Sequence, residues 1–395
     1  MEPRKHRGAE IAREGQIKRC GRNRWHVKSQ SGLGTWVVDY SGAEPTCTCP
    51  DYEKRSAFCK HIFAIEIRRR RLVLPGGPLV VDEPTKYTQD WSAYNKAQTT
   101  EHVHFVGMLR LLCDGIEVPN QSMGRPKTPL GDVVFGNVFK VYTGKSGRRA
   151  MSALDACHEQ GLLLAKPNYN TLFRHMDDPA LTPLLRRLLQ ESAAPLQSVE
   201  RKFAADSTGF STKVYERYYD HKWGRNKKRA KFIKAHAMCG TFTHIVSDLI
   251  VSEKGDATQF KPLLDATVAR FDVDEVSADK AYSSKVNLQA AQDAGAVAYI
   301  PFKAGTVGGK DDLWSKMFHY FQYKREDFLA HYHERSNVET VFSMVQAKFG
   351  KHVKSKNPTA QMNELYCKFI GHNICVLISS VYELGIAPEF WSQTA

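Results

Sequence analysis

The chain has 395 residues, enough for two or three domains that each bury a core. Its 42% hydrophobic and 25% charged content are those of an ordinary globular protein; the best apolar run, Ile374 to Ile378, stops at Ser379-Ser380, and the start Met1-Glu-Pro-Arg-Lys-His-Arg7 is no secretory leader, so membrane and secreted classes are set aside and a cytoplasmic protein is expected. With 56 Lys and Arg over 42 Asp and Glu the net charge is +14, which favours a polyanionic partner.

Residues 1–71 carry 16 Lys or Arg against 8 Asp or Glu. Arg24 to Lys28 and Thr35 to Asp39 are bulky, β-branched runs separated by Ser31-Gly-Leu-Gly34, the pattern of two strands joined as a hairpin. Cys47-x-Cys49 and Cys59-x-His61 follow, then Ile62 to Arg71, which suits a short helix. Leu74-Pro-Gly-Gly-Pro78 is a linker signal, and the polar, aromatic stretch up to about residue 100 reads as an extended connection.

From Thr100 to Pro195 the periodicity is helical. Val103, Val106, Leu109 and Leu112 make one apolar face, and Ala150, Leu154 and Cys157 begin another. Asn168-Tyr-Asn170 precedes a short helix over Thr171 to Met176, and Thr182-Pro183 offers an N-cap and first-turn proline to Leu184 to Glu191. Arg148, Arg149, Arg174, Arg186 and Arg187 on such helices suit a helix-turn-helix-like DNA reader; a structural helical collar fits the same pattern.

From Glu200 the texture is α/β. Lys202 to Asp206 reads as a strand ending at the acid, and Lys231 to Met238 with His244 to Val251 as a hairpin about Gly240. A helix over Ala257 to Arg270 turns Phe260, Leu263, Leu264 and Val268 inward; Glu275 to Ala278 (strand), Lys285 to Ala294 (helix) and Ala296 to Pro301 (strand) follow. Three strands, then alternating helix and strand, is the order of a ribonuclease-H-like α/β fold: a mixed five-stranded sheet with flanking helices, here preceded by a helical DNA-binding region and a small β-rich module. The expected divisions are 1–71, a linker at 72–100, helices at 101–198, the α/β domain at 199–352 and a C-terminal helical segment at 353–395. Between the first two strands lies a basic run containing Arg225, Lys227, Lys228 and Arg229, a candidate phosphate-binding patch; a solvated face is the ordinary alternative.

The two Cys/His pairs stand nine residues apart. Alternate positions of an extended or turning backbone can aim two side chains at one ion, so Cys47, Cys49, Cys59 and His61 complete a tetrahedral structural zinc site. So small a module draws much of its folding energy from the metal. The remaining cysteines, Cys20, Cys113, Cys157, Cys239, Cys367 and Cys375, are isolated and read as small buried residues, with no disulfides expected in the cytosol. With its strand tryptophans before and Phe63-Ala-Ile65 after, the cluster resembles the SWIM zinc finger, which implies DNA or protein binding rather than catalysis.

Three acids form a second candidate metal site. Asp206 and Asp279 lie at strand ends, and Glu339 lies in a helical stretch whose Arg335, Glu339, Ser343 and Gln346 share one face while Val338, Val341, Val345 and Phe349 share the other. Phosphodiester chemistry uses such oxygen-only groups to hold hard cations. Singly, each acid has an ordinary reading: Asp206 in a turn, Asp279 as the cap of the next helix, Glu339 paired with Arg335. Together, Asp206-Ser-Thr-Gly-Phe210, Ala278-Asp-Lys-Ala-Tyr282 and Arg335-Ser-Asn-Val-Glu-Thr-Val-Phe-Ser343 resemble the three motif blocks of DDE transposases of bacterial and archaeal insertion sequences, a similarity that runs from about Trp91 to the C-terminus.

That resemblance implies two magnesium ions on Asp206, Asp279 and Glu339, with manganese as a substitute. It implies cleavage at transposon ends and transfer of the freed 3′-hydroxyl into target DNA, by at least a homodimer, in nucleoid-associated DNA. A family signature Tyr-x2-Arg-x3-Glu-x6-Lys is matched by Tyr332, Arg335 and Glu339; its last position holds Gln346, with Lys348 close by. Tyr332, Arg335 and Lys348 join the DNA-binding candidates, Arg335 through a phosphate of the terminal strand. The alternatives are a non-catalytic DNA-binding protein derived from a transposase and acting through its zinc module, and a plain nuclease. His102-Val-His104 and His331-Tyr-His333 read as packed or solvated histidines rather than chelators, and Trp223 and Trp314 as packing residues rather than base-stacking platforms.

Overall fold

The structure, a computed structural model, describes residues 3–13, 17–20, 23–29, 34–42, 44–55, 57–68, 90–117, 123–124, 126–212, 232–309 and 312–391. The linker signal Leu74 to Pro78, Trp223 and the basic run with Arg225, Lys227, Lys228 and Arg229 lie outside the described residues. The chain divides into two compact units, residues 1–89 and 90–395.

The first unit opens with α1 (Pro3–Arg13), then β1 (Ile17–Arg19), β2 (Arg24–Lys28), β3 (Thr35–Asp39) and β4 (Thr46–Cys47), followed by α2 (Pro50–Arg55) and α3 (Lys60–Arg68). The strands form an antiparallel meander in the order β1-β2-β3-β4. The two β-branched runs are β2 and β3 to the residue. Val27 and Val38 turn inward to a small core with Ile62 and Ile65 of α3 and Ile11 of α1. Charge hides α1 from the hydropathy pattern: its basic residues flank a short inward face of Gly8, Ala9, Ile11 and Ala12. Cys20, expected buried, is exposed.

The second unit begins with α4 (Trp91–Asp114), α5 (Leu130–Tyr142), α6 (Gly147–Glu159), α7 (Tyr169–Met176) and α8 (Leu181–Ala193). Helix α4 starts nine residues before the expected point, because Asp90 Oδ1 caps it by accepting the Ser92 and Ala93 amides at 2.9 and 3.0 Å. Its buried face is Phe105, Val106, Leu109 and Leu112; Val103 instead points to solvent at 71% exposure. Nor does Thr182 cap α8, which begins at Leu181; its hydroxyl donates to Asn363 Oδ1 at 2.7 Å.

The sheet and its helices follow: β5 (Lys202–Ser211), β6 (Phe232–Gly240), β7 (Val246–Val251), α9 (Asp256–Val268), β8 (Glu275–Ala278), α10 (Lys285–Asp293), β9 (Val297–Tyr299), α11 (Leu313–Tyr323), α12 (Arg325–Tyr332), α13 (Ser336–Phe349) and α14 (Pro358–Leu384). Strand order is β7-β6-β5-β8-β9, antiparallel from β7 to β5 and parallel from β5 to β9. In the β6–β7 turn the left-handed residue is His244 (φ 64°), not Gly240. Gly240 is needed for a different reason: a Cβ there would meet the buried Glu200 carboxylate at 2.3 Å. Glu200 holds the turn by accepting the Thr243 amide and hydroxyl, each at 2.8 Å.

The helices of residues 91–193 share one hydrophobic core with the sheet. At its centre runs α14, packed against α4, α5 and α8. By length and composition α14 is apolar enough to cross a membrane, which the short run at Ile374 did not suggest, yet 78% of that stretch is buried in protein. Its polar side chains are answered inside: Asn373 bonds the Val246 amide and carbonyl, and Lys368 Nζ the Gly350 and His352 carbonyls. Among the arginines proposed for a DNA reader, Arg186 is bound bidentately to the fully buried Asp248, with Gln190 donating to the same acid. Removing one partner of such a pair costs about 3–5 kcal/mol, so Arg186 is a structural residue. Arg148 and Arg187 lie over the rings of Tyr169 and Trp391.

His372 sits in this core with Nε2 at 2.9 Å from the His244 carbonyl, and burial pulls its imidazole down to about 4. The unfolded ring takes its proton near pH 6.5, the folded one only near pH 4. This contribution is therefore complete above pH 6.5 and is lost as pH falls through that window, about 3 kcal/mol in all. Urea unfolding at pH 7 and pH 5 should show the loss, and His372→Gln should flatten it.

Candidate acidic and zinc sites

In the first unit β4 delivers Cys47, the turn after it Cys49, and the start of α3 Cys59 and His61. All four are buried, and their ligand atoms lie within 4.8 Å of one another. His61 Nδ1 is 3.8 Å from Cys47 Sγ and 3.9 Å from Cys59 Sγ. A tetrahedron with zinc–sulfur and zinc–nitrogen bonds of about 2.3 and 2.0 Å has an edge of about 3.6 Å, so the donor set fits zinc through Nδ1. A hydrogen bond from Cys47, with help from His61 and the Ile62 amide, holds the Cys59 thiol well below its ordinary range, while the same bond pushes Cys47 up and burial pushes Cys49 up. Tyr40 and both strand tryptophans pack against the small core that includes the three cysteines, and the Trp36 ring lies 6.4 Å from that of His61.

In the second unit parallel pairing places the first two acids. Ala205 is opposite Ala278, so Asp206 and Asp279 are the next residues on neighbouring strands spaced about 4.8 Å apart. Strand β8 stops at Ala278, but β5 does not end at Asp206 as expected. It runs on to Ser211, because its far half stays paired with β6. The chain leaves β5 for β6 on one side and later returns as β8 on the other. Asp279 thus stands just past the carboxyl end of β8, and Asp206 lies level with it midway along β5, the strand paired with β6 on one side and β8 on the other.

Glu339 comes from α13, whose Val338, Val341, Val345 and Phe349 are buried in the shared core. Arg335 ties the third acid to the first: its Nη1 donates to Asp206 Oδ2 and its Nη2 to Glu339 Oε1, each at 2.6 Å. Asp206 also accepts the Ser207 amide at 2.8 Å. Burial pushes its carboxyl above the ordinary range, and the charges of Asp279 and Glu339 push the same way, against the Ser207 amide and Arg335. Asp279 Oδ1 caps the following turn through the Lys280 amide at 2.5 Å. Arg335 is thus shared by Asp206 and Glu339, while Asp279 has a backbone amide, a set of hard oxygens short of positive charge. That chemistry fits magnesium. The Cys/His cluster is drawn together more tightly: among the described residues it alone has three or more ligand atoms all within 4.8 Å.

The other candidates fall nearby. Tyr332 lies under the Arg335 guanidinium at 5.9 Å. Gln346 Nε2 reaches Thr208 Oγ1 of β5 at 3.4 Å. Lys348 is bound to Glu101 and lies over the Tyr142 ring. One histidine of each pair is packed and its mate, His102 or His333, is exposed: His104 Nε2 is 2.8 Å from the Tyr382 hydroxyl, and His331 bonds Glu275 at 2.7 Å while stacked on Tyr299. Trp314 packs edge-on against Phe302.

Sequence reasoning missed a network behind Asp206. The Ser207 hydroxyl donates to Asp256 Oδ1 at 2.7 Å, and Lys234 Nζ meets the same oxygen at 2.7 Å. The buried Tyr282 phenol is kept protonated by burial and by the charges of Asp256, Asp206 and Asp279. The one available signal was Gly255-Asp256 at the start of α9, a commonplace helix opening.

Residues 197–374, which contain all three acids, match the family described as Transposase DDE domain, and residues 36–69, which contain the four Cys/His ligands, match the SWIM zinc finger. The chain thus carries a transposase DDE domain behind an N-terminal SWIM zinc finger. No curated protein matches it. Among solved structures it is similar to the piggyBac transposase of a cryo-EM synaptic complex with hairpin DNA, at 11% identity and a TM-score of 0.36, over 74% of this chain and 78% of that one.

Native mass spectrometry should find one zinc per chain and none in Cys59→Ser. The first unit of that variant should lose its cooperative unfolding transition, since structural zinc contributes roughly 10 kcal/mol to modules of this size.

Proposed function

We propose that this protein is a DNA transposase that cuts transposon ends and joins the freed 3′-hydroxyl to target DNA. In the first step water attacks the phosphorus at the transposon end; the new oxygen–phosphorus bond replaces the one to the 3′ oxygen, which leaves as a hydroxyl. In the second, that hydroxyl attacks a target phosphodiester and displaces the target's own 3′ oxygen. The observation that carries this reading is the acidic trio: Asp206 level with the end of β8, where Asp279 follows, and Arg335 shared by Asp206 and Glu339.

Asp206, Asp279 and Glu339 are the residues we assign to two magnesium ions, or manganese in their place. Bound there, the ions would stabilise charge on the attacking and leaving oxygens. Arg335 has a planar fork that suits a phosphate as well as it suits two carboxylates. We assign it to the terminal phosphate when DNA is bound and to Asp206 and Glu339 when it is not. The strand order 3-2-1-4-5, counted from β5, supports a ribonuclease-H-like fold for residues 199–352. We assign residues 1–71 to the zinc module, 101–198 to DNA contact and 353–395 to a helical support. The run with Arg225, Lys227, Lys228 and Arg229 we assign to the DNA backbone. Two ends must be joined together, so at least a homodimer acts, and we place it on the DNA of the nucleoid.

The second reading, a DNA-binding protein derived from a transposase, is favoured by one observation. At the position where the family signature has lysine, Gln346 is turned to Thr208, and Lys348 is engaged by Glu101. Both readings are separated by a strand-transfer assay with end-bearing DNA and magnesium. The wild type should join ends, and Asp279→Ala should lower joining at least about a thousandfold while DNA affinity stays within about twofold. Binding without cleavage by the wild type would favour the second reading, and cleaved but never joined products a plain nuclease. Arg335→Gln should melt earlier without metal, by about 1–2 kcal/mol, because Asp206 loses its counter-ion. It should also gain more thermal stability from magnesium than the wild type does, since guanidinium and cation compete for the same oxygens.

A further inference from the structure

A cavity of about 480 Å³ lies among the ends of α5 and α7, the start of α6 and the segment joining α13 to α14. Its floor is apolar, with Phe173, Met176 and Phe349, and its walls carry Lys140, Lys145, Lys354, Lys356 and Lys368. Two carboxylates also line it, and both are engaged. Glu364 accepts the Lys354 amide at 2.9 Å and the Ser355 amide at 2.8 Å, and lies 3.8 Å from Lys368 Nζ; Asp177 accepts Asn357 Nδ2 at 2.8 Å. Several of the ammonium groups rest on neutral partners: Lys354 Nζ on the Gly144 carbonyl at 2.7 Å, Lys140 Nζ over the Phe173 ring at 5.3 Å. Lys145 and Lys356 stand exposed at the rim.

Two helix starts open on the same space. The N-cap of α6, Ser146, makes no side-chain cap hydrogen bond, and neither does Asn357, the N-cap of the 27-residue α14. First-turn amides with the helix dipole behind them favour an anion. At Gly147 the backbone of α6 is pressed onto the floor: a Cβ there would lie 2.3 Å from Phe173 Cζ. Burial lowers the Lys140 ammonium below its ordinary range and brings Lys368 down to about 8, a cost that a bound anion would relieve.

An anion with a flat apolar body satisfies both the walls and the floor, and its volume suits a cavity in the range of small-molecule sites. We infer that this cavity takes one unpaired nucleotide of a DNA strand, its phosphate between Lys145, Lys356 and the start of α6 and its base against Phe173 and Phe349. The inference rests on the transposase reading for its DNA. Phe349 is ten residues beyond Glu339 on α13, or about 15 Å, so one strand can reach both sites within four or five base steps. A free nucleoside monophosphate shares the same chemistry, and the test separates the two sources.

The measurement is fluorescence anisotropy of the full chain with a labelled 20-nucleotide single strand and with its duplex, in magnesium-free buffer across a salt series. Lys145→Gln/Lys356→Gln should weaken single-strand binding about tenfold and lower its salt slope by about 1.4, with duplex binding changed less than about twofold. Phe173→Leu should weaken single-strand binding about fivefold with the slope unchanged, since it removes stacking and no charge. Equal losses on single strand and duplex, or no loss, would overturn the inference. Thymidine 5′-phosphate displacing nothing at millimolar concentration supports the strand; saturable binding of that nucleotide with no single-strand preference assigns the cavity to a free nucleotide and overturns the placement. No strand joining enters this readout. A chain that never joins ends but shows these losses sinks only the catalytic reading.

Discussion

The parallel pairing of β5 with β8 is the constraint on which the acidic site rests. Parallel strands cannot be joined by a tight turn, so the chain must first make β6, β7 and α9 before β8 can lie down beside β5. That detour brings Asp279 back to Asp206 across 73 residues of sequence without either side chain having to find the other. One register step in β8 would turn Asp279 to the opposite face of the sheet. The buried Ala204, Ala205, Val276 and Ala278 and the helices over them hold the register.

Once the two aspartates are set, electrostatics governs the rest of the site. Carboxylates brought together repel, and burial worsens the cost for Asp206. Arg335 answers it with one guanidinium divided between Asp206 and Glu339, which also fixes where α13 crosses β5. One guanidinium leaves the three carboxylates under-neutralised, a combination suited to accepting divalent cations. Behind it, Ser207, Asp256 and Lys234 tie β5, β6 and α9 together, so that the aspartate strand is braced from a second side.

The zinc module and the acidic unit show two ways of making a site. In the module, four donors lie within fifteen residues and a zinc ion bound by them would close the structure; the core of Val27, Val38, Ile62 and Ile65 is small. In the larger unit a core that runs from α4 through the sheet to α14 does the positioning, and the acids are its by-product. The same core takes up residues that looked like DNA contacts in isolation. Arg186 is committed to Asp248 because burying that acid without a partner would cost more than any exposed contact returns.

Short-range features were legible in the chain: the alternating strands β2 and β3, the Cys/His spacing, the strand at Glu275 and the amphipathic α13 all come from local pattern, since period and ligand spacing are properties of neighbouring residues. The full extent of β5, the early start of α4 and the helix α1 were not. The first depends on β6 as a partner, the second on one capping aspartate, and the third on a core that a charged segment does not advertise. Likewise the acids could be named from the chain. Their sharing of Arg335, the turning of Gln346 to Thr208 and the lysine-walled cavity arise from contacts between residues far apart in sequence, and so only the packed tertiary structure decided them.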